Sequence, residues 1–283
     1  MTMKQFFSQF PDDETCLAHI FNSRFGQGHV CPKCDQSAKW YRIKAERAYS
    51  CQHCGHHIHP TAGTIFQDTR TPLQSWFYAI YLFTVTRHGV SAKELQRQLG
   101  VTYKTAWRIG LQIRRHMEKI NGSGPLSGIV EVDETMIGGK RSGKRGRGAS
   151  GKTSLVGMAE RGGRVALKAV PDCSGRSLAG AVEKNVSKEA EVHTDQWTGY
   201  NGLKEKGYKH KTVNHSSGSY VAGNVHVNSV ENVWYHLQRA IRGTHISVSG
   251  KHLMKYASEF SYRYNRRKTP DVMLPELLSV FPA

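Results

Sequence analysis

Two Cys-x-x-Cys pairs, Cys31 with Cys34 and Cys51 with Cys54, stand sixteen residues apart near the start of this 283-residue chain, and they restrict its fold more than any other feature. Each pair presents two thiolates to one side of a tight loop, and two such loops at the ends of short strands close a tetrahedron around one Zn2+. Lys39 to Ile43 reads as one ribbon strand, and Ala48 and Tyr49 carry a second into Cys51. A redox motif needs one copy, not two, and paired cysteines suit a metal site in a reducing compartment better than a disulfide framework. Four thiolates fill the zinc shell, so His53, His56, His57 and His59 are read as surface or DNA-facing residues, and Cys16 and Cys173 as small core residues.

Lys and Arg total 40 against 22 Asp and Glu, a net charge of +18, which favours a polyanionic partner. The basic residues run through every region instead of lining one amphipathic helix, so nucleic acid is expected as that partner, double-stranded DNA once the helix-turn-helix below is counted, and a membrane surface is not. The N-terminus lacks a signal-peptide core, and the apolar run from Trp76 to Thr86 is too short to span a bilayer and reads as a buried helix. A soluble cytoplasmic, nucleoid-associated protein is expected.

Ser91 to Arg108 follows helix, glycine turn, helix. Ser91 caps the first helix with Glu94 in capping-box position, Gly100 ends it and Thr102 caps the second. This is helix-turn-helix grammar. In the second helix Ala106, Ile109, Ile113 and Met117 face inward, while Lys104, Arg108, Gln112 and Arg115 share an outer face suited to a major groove.

Gly146 to Thr153 matches the phosphate-loop pattern GxxxxGK[ST], yet the approach is a basic run and the continuation, Ser154 to Met158, looks like a strand. No nucleotide cofactor is expected. The segment 138 to 152 is read as a basic loop whose Lys140, Lys144, Arg145, Arg147 and Lys152 meet a DNA backbone. The Arg161 to Arg164 turn joins the following strand to Val165–Val170 as a hairpin.

Gly128 to Glu134 reads as a buried strand with Ile129, Glu131 and Asp133 on one face and Val130 and Val132 on the other. A second strand, Glu191 to Asp195, also ends in an aspartate, and the helix expected from Arg176 to Lys184 makes the crossover that sets the two strands parallel. In the helix from Asn228 to Arg242, Val230, Val233, Trp234, Leu237 and Ile241 form an apolar stripe; Asn228, Glu231, Tyr235, Gln238 and Arg242 lie opposite. Asp133, Asp195 and Glu231 supply three hard oxygen donors, a set suited to two Mg2+ or Mn2+ ions and in-line phosphoryl transfer. Glu131, Glu134 and Asp172 are the nearest competing acids, with Glu131 acting behind the ligands at most. Arg263, Arg266 and Arg267 are either a solvated helix face or a DNA-backbone contact.

Five runs in consistent order, DETMIGGK from Asp133, His193-Thr194-Asp195, Val213-Asn214-His215, HVNSVENVW from His226 and FSYRYNRR from Phe260, resemble landmarks of bacterial ISXO-type insertion-sequence transposases with an N-terminal zinc ribbon. The resemblance runs over roughly residues 14 to 270 and implies a ribonuclease H-like domain with a DDE mechanism, Asp133, Asp195 and Glu231 being the metal ligands. Some relatives place asparagine third, which leaves Asn228 as an alternative. A related pattern has lysine seven residues after the acid; here Gln238 stands there, with Arg239 next to take over the contact with terminal DNA.

The expected fold is therefore multidomain: a small β zinc ribbon with an N-terminal helix over 1–65, an all-α helix-turn-helix segment over 66–122, and an α/β ribonuclease H-like catalytic domain with a mixed sheet over 123–283. The expected reaction begins with water cutting each transposon end to leave a 3′ hydroxyl, which then attacks target DNA; concerted cutting of two ends calls for a homodimer or larger assembly. Two other readings stay open on sequence: a non-catalytic DNA-binding regulator, and a nuclease without strand transfer.

Overall fold

The computed structural model describes residues 1–122, 124–138, 151–213 and 224–281, and the chain forms two compact units, Met1–Ile120 with Thr269–Ala283, and Asn121–Lys268. The division expected from the sequence places everything after residue 122 in one domain. The final segment instead packs with the first 120 residues, because its Leu274, Leu277 and Leu278 are buried there.

In the first unit α1 (Met3–Gln9) and α2 (Asp13–Arg24) begin at Thr2 and Asp12, whose side chains accept N–H bonds from Gln5 and Thr15. A three-stranded antiparallel meander follows, β1 (Trp40–Ile43), β2 (Ala48–Cys51) and β3 (His57–Ile58). Helix α3 (Leu73–Val85) buries Trp76, Phe77, Ile80, Tyr81 and Phe83, as its continuous apolar run demands. It lies among α2, α4 (Ala92–Leu99), α5 (Tyr103–Ile120) and the final helix, α9 (Met273–Ser279). Among the described residues no helix is long and apolar enough to cross a membrane.

Between α4 and α5 the chain turns through Gly100, Val101 and Thr102. Gly100 takes a left-handed conformation, φ 63°, and its N–H closes on Gln96. Ser91 accepts from the Glu94 N–H, but the Glu94 carboxylate turns outward to Arg97 and Gln98 instead of completing a capping box.

The second unit is built on a five-stranded mixed sheet in the order β6 (Val165–Val170), β5 (Thr153–Glu160), β4 (Ile129–Ile137), β7 (Glu191–Asp195), β8 (Lys209–Val213). The first three strands run antiparallel to their neighbours, and β7 and β8 continue parallel to β4. A strand, not a helix, opens at Thr153, in line with rejection of the phosphate-loop pattern. Helix α6 (Gly175–Asn185) covers one face through Leu178 and Val182, packed on Val130, Val132, Met158 and Val192. Helices α7 (Asn228–Ala240) and α8 (Gly250–Asn265) cover the other through Val230, Val233, Trp234, Leu253 and Ala257. Strand alternation therefore turns Glu131 and Asp133 of β4 towards α7.

Candidate active site

The four cysteines lie together at the loops of the ribbon, all sulfur atoms within 4.8 Å of one another. Cys31 Sγ and Cys54 Sγ are 3.6 Å apart and Cys34 Sγ and Cys51 Sγ 3.9 Å. A tetrahedron with Zn–S bonds of ~2.3 Å has edges of about 3.8 Å, so the set has the size a zinc ion requires. Against the burial that raises it, the Cys31 thiol is drawn down to about 7 by N–H groups of Lys33 and Cys34, whereas burial and the neighbouring cysteine sulfurs push Cys34 up to about 12.

Along α5 the apolar and basic faces separate as expected. Ala106, Ile109, Ile113 and Met117 are buried, Lys104, Arg108 and Arg115 are exposed, and Gln112 is half-buried beside them. Two buried polar residues of α5 were not legible from the sequence. Arg114 donates to the Val90 carbonyl at 2.9 Å and lies over the Phe83 ring; His116 Nε2 sits 3.1 Å from the Leu277 carbonyl.

The two aspartates meet through strand register. Glu131 of β4 is level with His193 of β7 at the last rung of their parallel pairing, and Asp133 and Asp195 each follow two residues later, close enough for the Asp195 charge to act on Asp133. Asp195 accepts the Trp197 N–H at 3.0 Å, and Asp133 accepts the indole N–H of Trp234 on α7 at 2.9 Å. Burial raises the Asp133 carboxyl to about 7, helped by the charges of Glu134 and Asp195. The Tyr200 hydroxyl donates to Glu134 at 2.6 Å, and burial together with Glu134, Asp133 and Asp195 holds that phenol well above its ordinary range. Such acidic crowding, made of hard oxygen atoms, is the donor chemistry a divalent cation relieves.

Glu231 is exposed in the first turn of α7, three residues before Trp234, and Asn228 is exposed as the first residue of that helix. Among the described residues the cysteines are the only group of three or more ligating side chains within 4.8 Å of one another, so Asp133, Asp195 and Glu231 are not all at single-ion spacing.

Glu131 has a larger place than sequence alone indicated. Fully buried, it accepts from the Ser229 N–H at 2.6 Å, Ser229 Oγ at 3.0 Å, Val230 N–H at 3.3 Å and Arg161 Nε at 3.0 Å, with His226 Nδ1 at 3.2 Å. Arg161 also holds Asn224 and lies 3.4 Å from His193 Nδ1. One carboxylate thus ties the start of α7 to β4, and through Arg161 reaches β7. The signal available beforehand was a glutamate in the middle of an apolar strand.

Of the basic residues expected on DNA, Lys152 and Arg239 are exposed, Arg239 donating to the Tyr235 hydroxyl at 2.6 Å. Lys140, Lys144, Arg145 and Arg147 lie outside the described residues, as do Asn214 and His215.

Comparison with known proteins agrees with this architecture. Residues 11–57 match the transposase zinc-ribbon domain, and residues 125–265, which carry the sheet and all three candidate acids, match the ISXO2-like transposase domain. A protein of Halobacterium salinarum, described as an uncharacterized protein in transposable element ISH50, is 28% identical over 263 residues, covering 85% of this chain and 86% of the relative. Two matched segments in this order along one chain make the protein a member of the ISXO2-like insertion-sequence transposases with an N-terminal zinc ribbon.

Proposed function

We propose that this transposase cuts and joins DNA with Asp133, Asp195 and Glu231 as the residues that hold two Mg2+ or Mn2+ ions. The observation that carries the reading is that Asp133 and Asp195 both lie two residues beyond the Glu131–His193 rung of the parallel β4/β7 pair, near enough for the Asp195 charge to raise the Asp133 carboxyl. Strand order, three antiparallel followed by two parallel, is the arrangement expected of a ribonuclease H-like catalytic domain. Glu231 stands on the open side of α7 and completes the set when DNA and cations are bound; Asn228 remains the alternative third ligand. The ions would neutralise the phosphate charge and favour the attacking oxygen in its ionised form. The chain's own share is position. Trp234 holds one Asp133 oxygen, Trp197 N–H orients Asp195, and the Glu131 carboxylate fixes the turn from which Glu231 projects.

The zinc ribbon holds one Zn2+ structurally, and α4, the Gly100 turn and α5 act as a helix-turn-helix whose Lys104, Arg108, Gln112 and Arg115 enter a major groove. Lys152 and Arg239, with the basic residues of the 140–147 segment, meet phosphates near the cut. Two ends processed together require at least a homodimer on DNA.

Strand transfer separates this reading from that of a nuclease. Labelled duplexes carrying the terminal repeats that flank the gene, incubated with supercoiled plasmid and Mn2+, are expected to become covalently joined to the plasmid. End cleavage with no joined product would leave a nuclease; end binding with no cleavage would leave a regulator.

A further inference from the structure

Beyond Asp133 on β4 and beyond Glu231 on α7, the strand and the helix border a common cleft of about 610 Å³. Met136, Ile137, Ile241 and Val248 give it an apolar lining, with Gln238 and Ser247 beside them, and its cations are Lys152 and Arg242, both exposed. The volume lies in the range, roughly 300–1,000 Å³, of pockets that hold small organic ligands. Two independent measures fix its distance from the acids. Met136 to Gly138 lie three to five residues past Asp133, about 10–17 Å along a strand. Gln238 to Arg242 lie seven to eleven residues past Glu231, about 10–16 Å along a helix. A DNA strand leaving the acidic centre along the seam of β4 and α7 therefore meets this cleft within about three to five nucleotides at duplex spacing.

The lip of the cleft is unusual. Helix α7 continues into a single π turn, Ile241–His245, and the next residue, Ile246, has φ 63° and ψ −58°, a conformation costly for a β-branched side chain. Ile246 is also 84% exposed. The following segment is seated against the start of β5: a Cβ on Gly250 would meet Thr153 Oγ1 at 2.4 Å. A strained backbone that presents a bare isoleucine to solvent, above an apolar cavity edged by cations, suits a wedge that enters a base stack and a slot that receives what it displaces.

We propose that the cleft between β4 and α7 binds an unstacked nucleobase of the DNA strand held at the acidic centre, with Ile246 filling the gap left in the stack and Arg242 and Lys152 holding the flanking phosphates. The proposal rests on the transposase reading for where DNA lies, but it makes a claim about binding alone. Its occupant is nucleic acid because an apolar slot edged by two cations matches a base between phosphates.

The test uses the full chain with Ca2+ in place of catalytic ions and two duplexes of one sequence, one fully paired and one with a single unpaired 2-aminopurine. Wild type is expected to bind the bulged duplex about tenfold more tightly, with a change in 2-aminopurine fluorescence, since the cost of unstacking is already met. Ile246→Gly, which relaxes the positive φ and so preserves the fold, should bring affinity for the bulged duplex down to that for the paired one. Ile241→Asp should abolish the fluorescence change, with circular dichroism confirming that the variant is folded. Equal affinity of wild type for both duplexes, or a preference that survives in Ile246→Gly, would overturn the proposal. DNA cleavage in Mn2+, assayed separately, decides the catalytic reading and leaves this binding result standing or falling alone.

Discussion

Trp234 donates its indole N–H to Asp133 across 2.9 Å, and the ring can approach that closely because the residue opposite Asp133 in the β4/β5 ladder is Gly157. A Cβ built at Gly157 would fall 2.5 Å from the indole. Gly157→Ala is therefore expected to force the ring off Asp133. The cost should be about 1–3 kcal/mol of stability for the overpacked contact, with a larger loss in DNA cleavage than Trp234→Phe, which keeps the ring and removes only the hydrogen bond. Thermal melts and cleavage rates of the two variants check this. A fully active, unshifted Gly157→Ala would show that the contact does not position Asp133.

Glu131 gives a second prediction. Removing its carboxylate leaves Arg161 without its ion-pair partner and the Ser229 and Val230 N–H groups without an acceptor, so Glu131→Ala should cost about 3–5 kcal/mol, the usual scale for breaking a buried pair. Glu131→Gln keeps one acceptor and should fold, yet require more Mn2+ for half-maximal cleavage because the turn bearing Glu231 is held less firmly. A Glu131→Gln enzyme with an unchanged Mn2+ midpoint would make the residue structural only.

The raised Asp133 carboxyl couples cation binding to pH. In the metal-free fold this group is held protonated up to about 7, so its stabilising contribution is complete below the ordinary carboxylate value near 3.8 and is lost as pH rises through about 7. A cation must displace the proton. Mn2+ affinity should therefore climb by up to about tenfold per pH unit below 7 and level off above it, as read by calorimetry at pH 6, 7 and 8. Asp133→Asn should flatten the profile, and a flat profile in wild type would contradict the coupling.

His116 sets an opposite dependence in the first unit. Burial lowers its pKa to about 4, and the neutral ring bonds the Leu277 carbonyl and stacks on Phe281. A depressed folded value means full stability above the ordinary 6.5 and progressive loss as pH falls towards 4, at most about 3 kcal/mol. Protection of Leu277 and its neighbours from hydrogen exchange should fall across that window in wild type. It should stay level in His116→Gln, and an equally steep fall there would assign the effect to other groups.

Patterns of spacing and alternation made much of this molecule readable in advance. The cysteine pairs, the caps at Ser91 and Thr102, and the alternation that turns Asp133 away from Val132 are all local, and the structure keeps them. What escaped depends on partners distant in sequence. Strand β8 pairs only because β7 offers an edge, α9 returns to the first unit through leucines that have no periodic signal over seven residues, and Glu131 finds its donors 98 residues later at Ser229. The strained Ile246 has no sequence signature, since φ is set by how α7 ends and how Gly250 seats on Thr153.

The most direct measurement is cleavage of DNA carrying the element's own ends, in Mg2+ or Mn2+, by wild type, Asp195→Ala, Glu231→Gln and Asn228→Ala, with zinc content and end binding shown equal in all four. Wild type should cut at the repeat boundary, and Asp195→Ala and Glu231→Gln should be slower by at least about a hundredfold, the rate equivalent of the several kcal/mol a metal site supplies. Asn228→Ala should retain most activity. End-specific cutting by Asp195→Ala or Glu231→Gln at the wild-type rate would contradict the assignment of these carboxylates to the reaction.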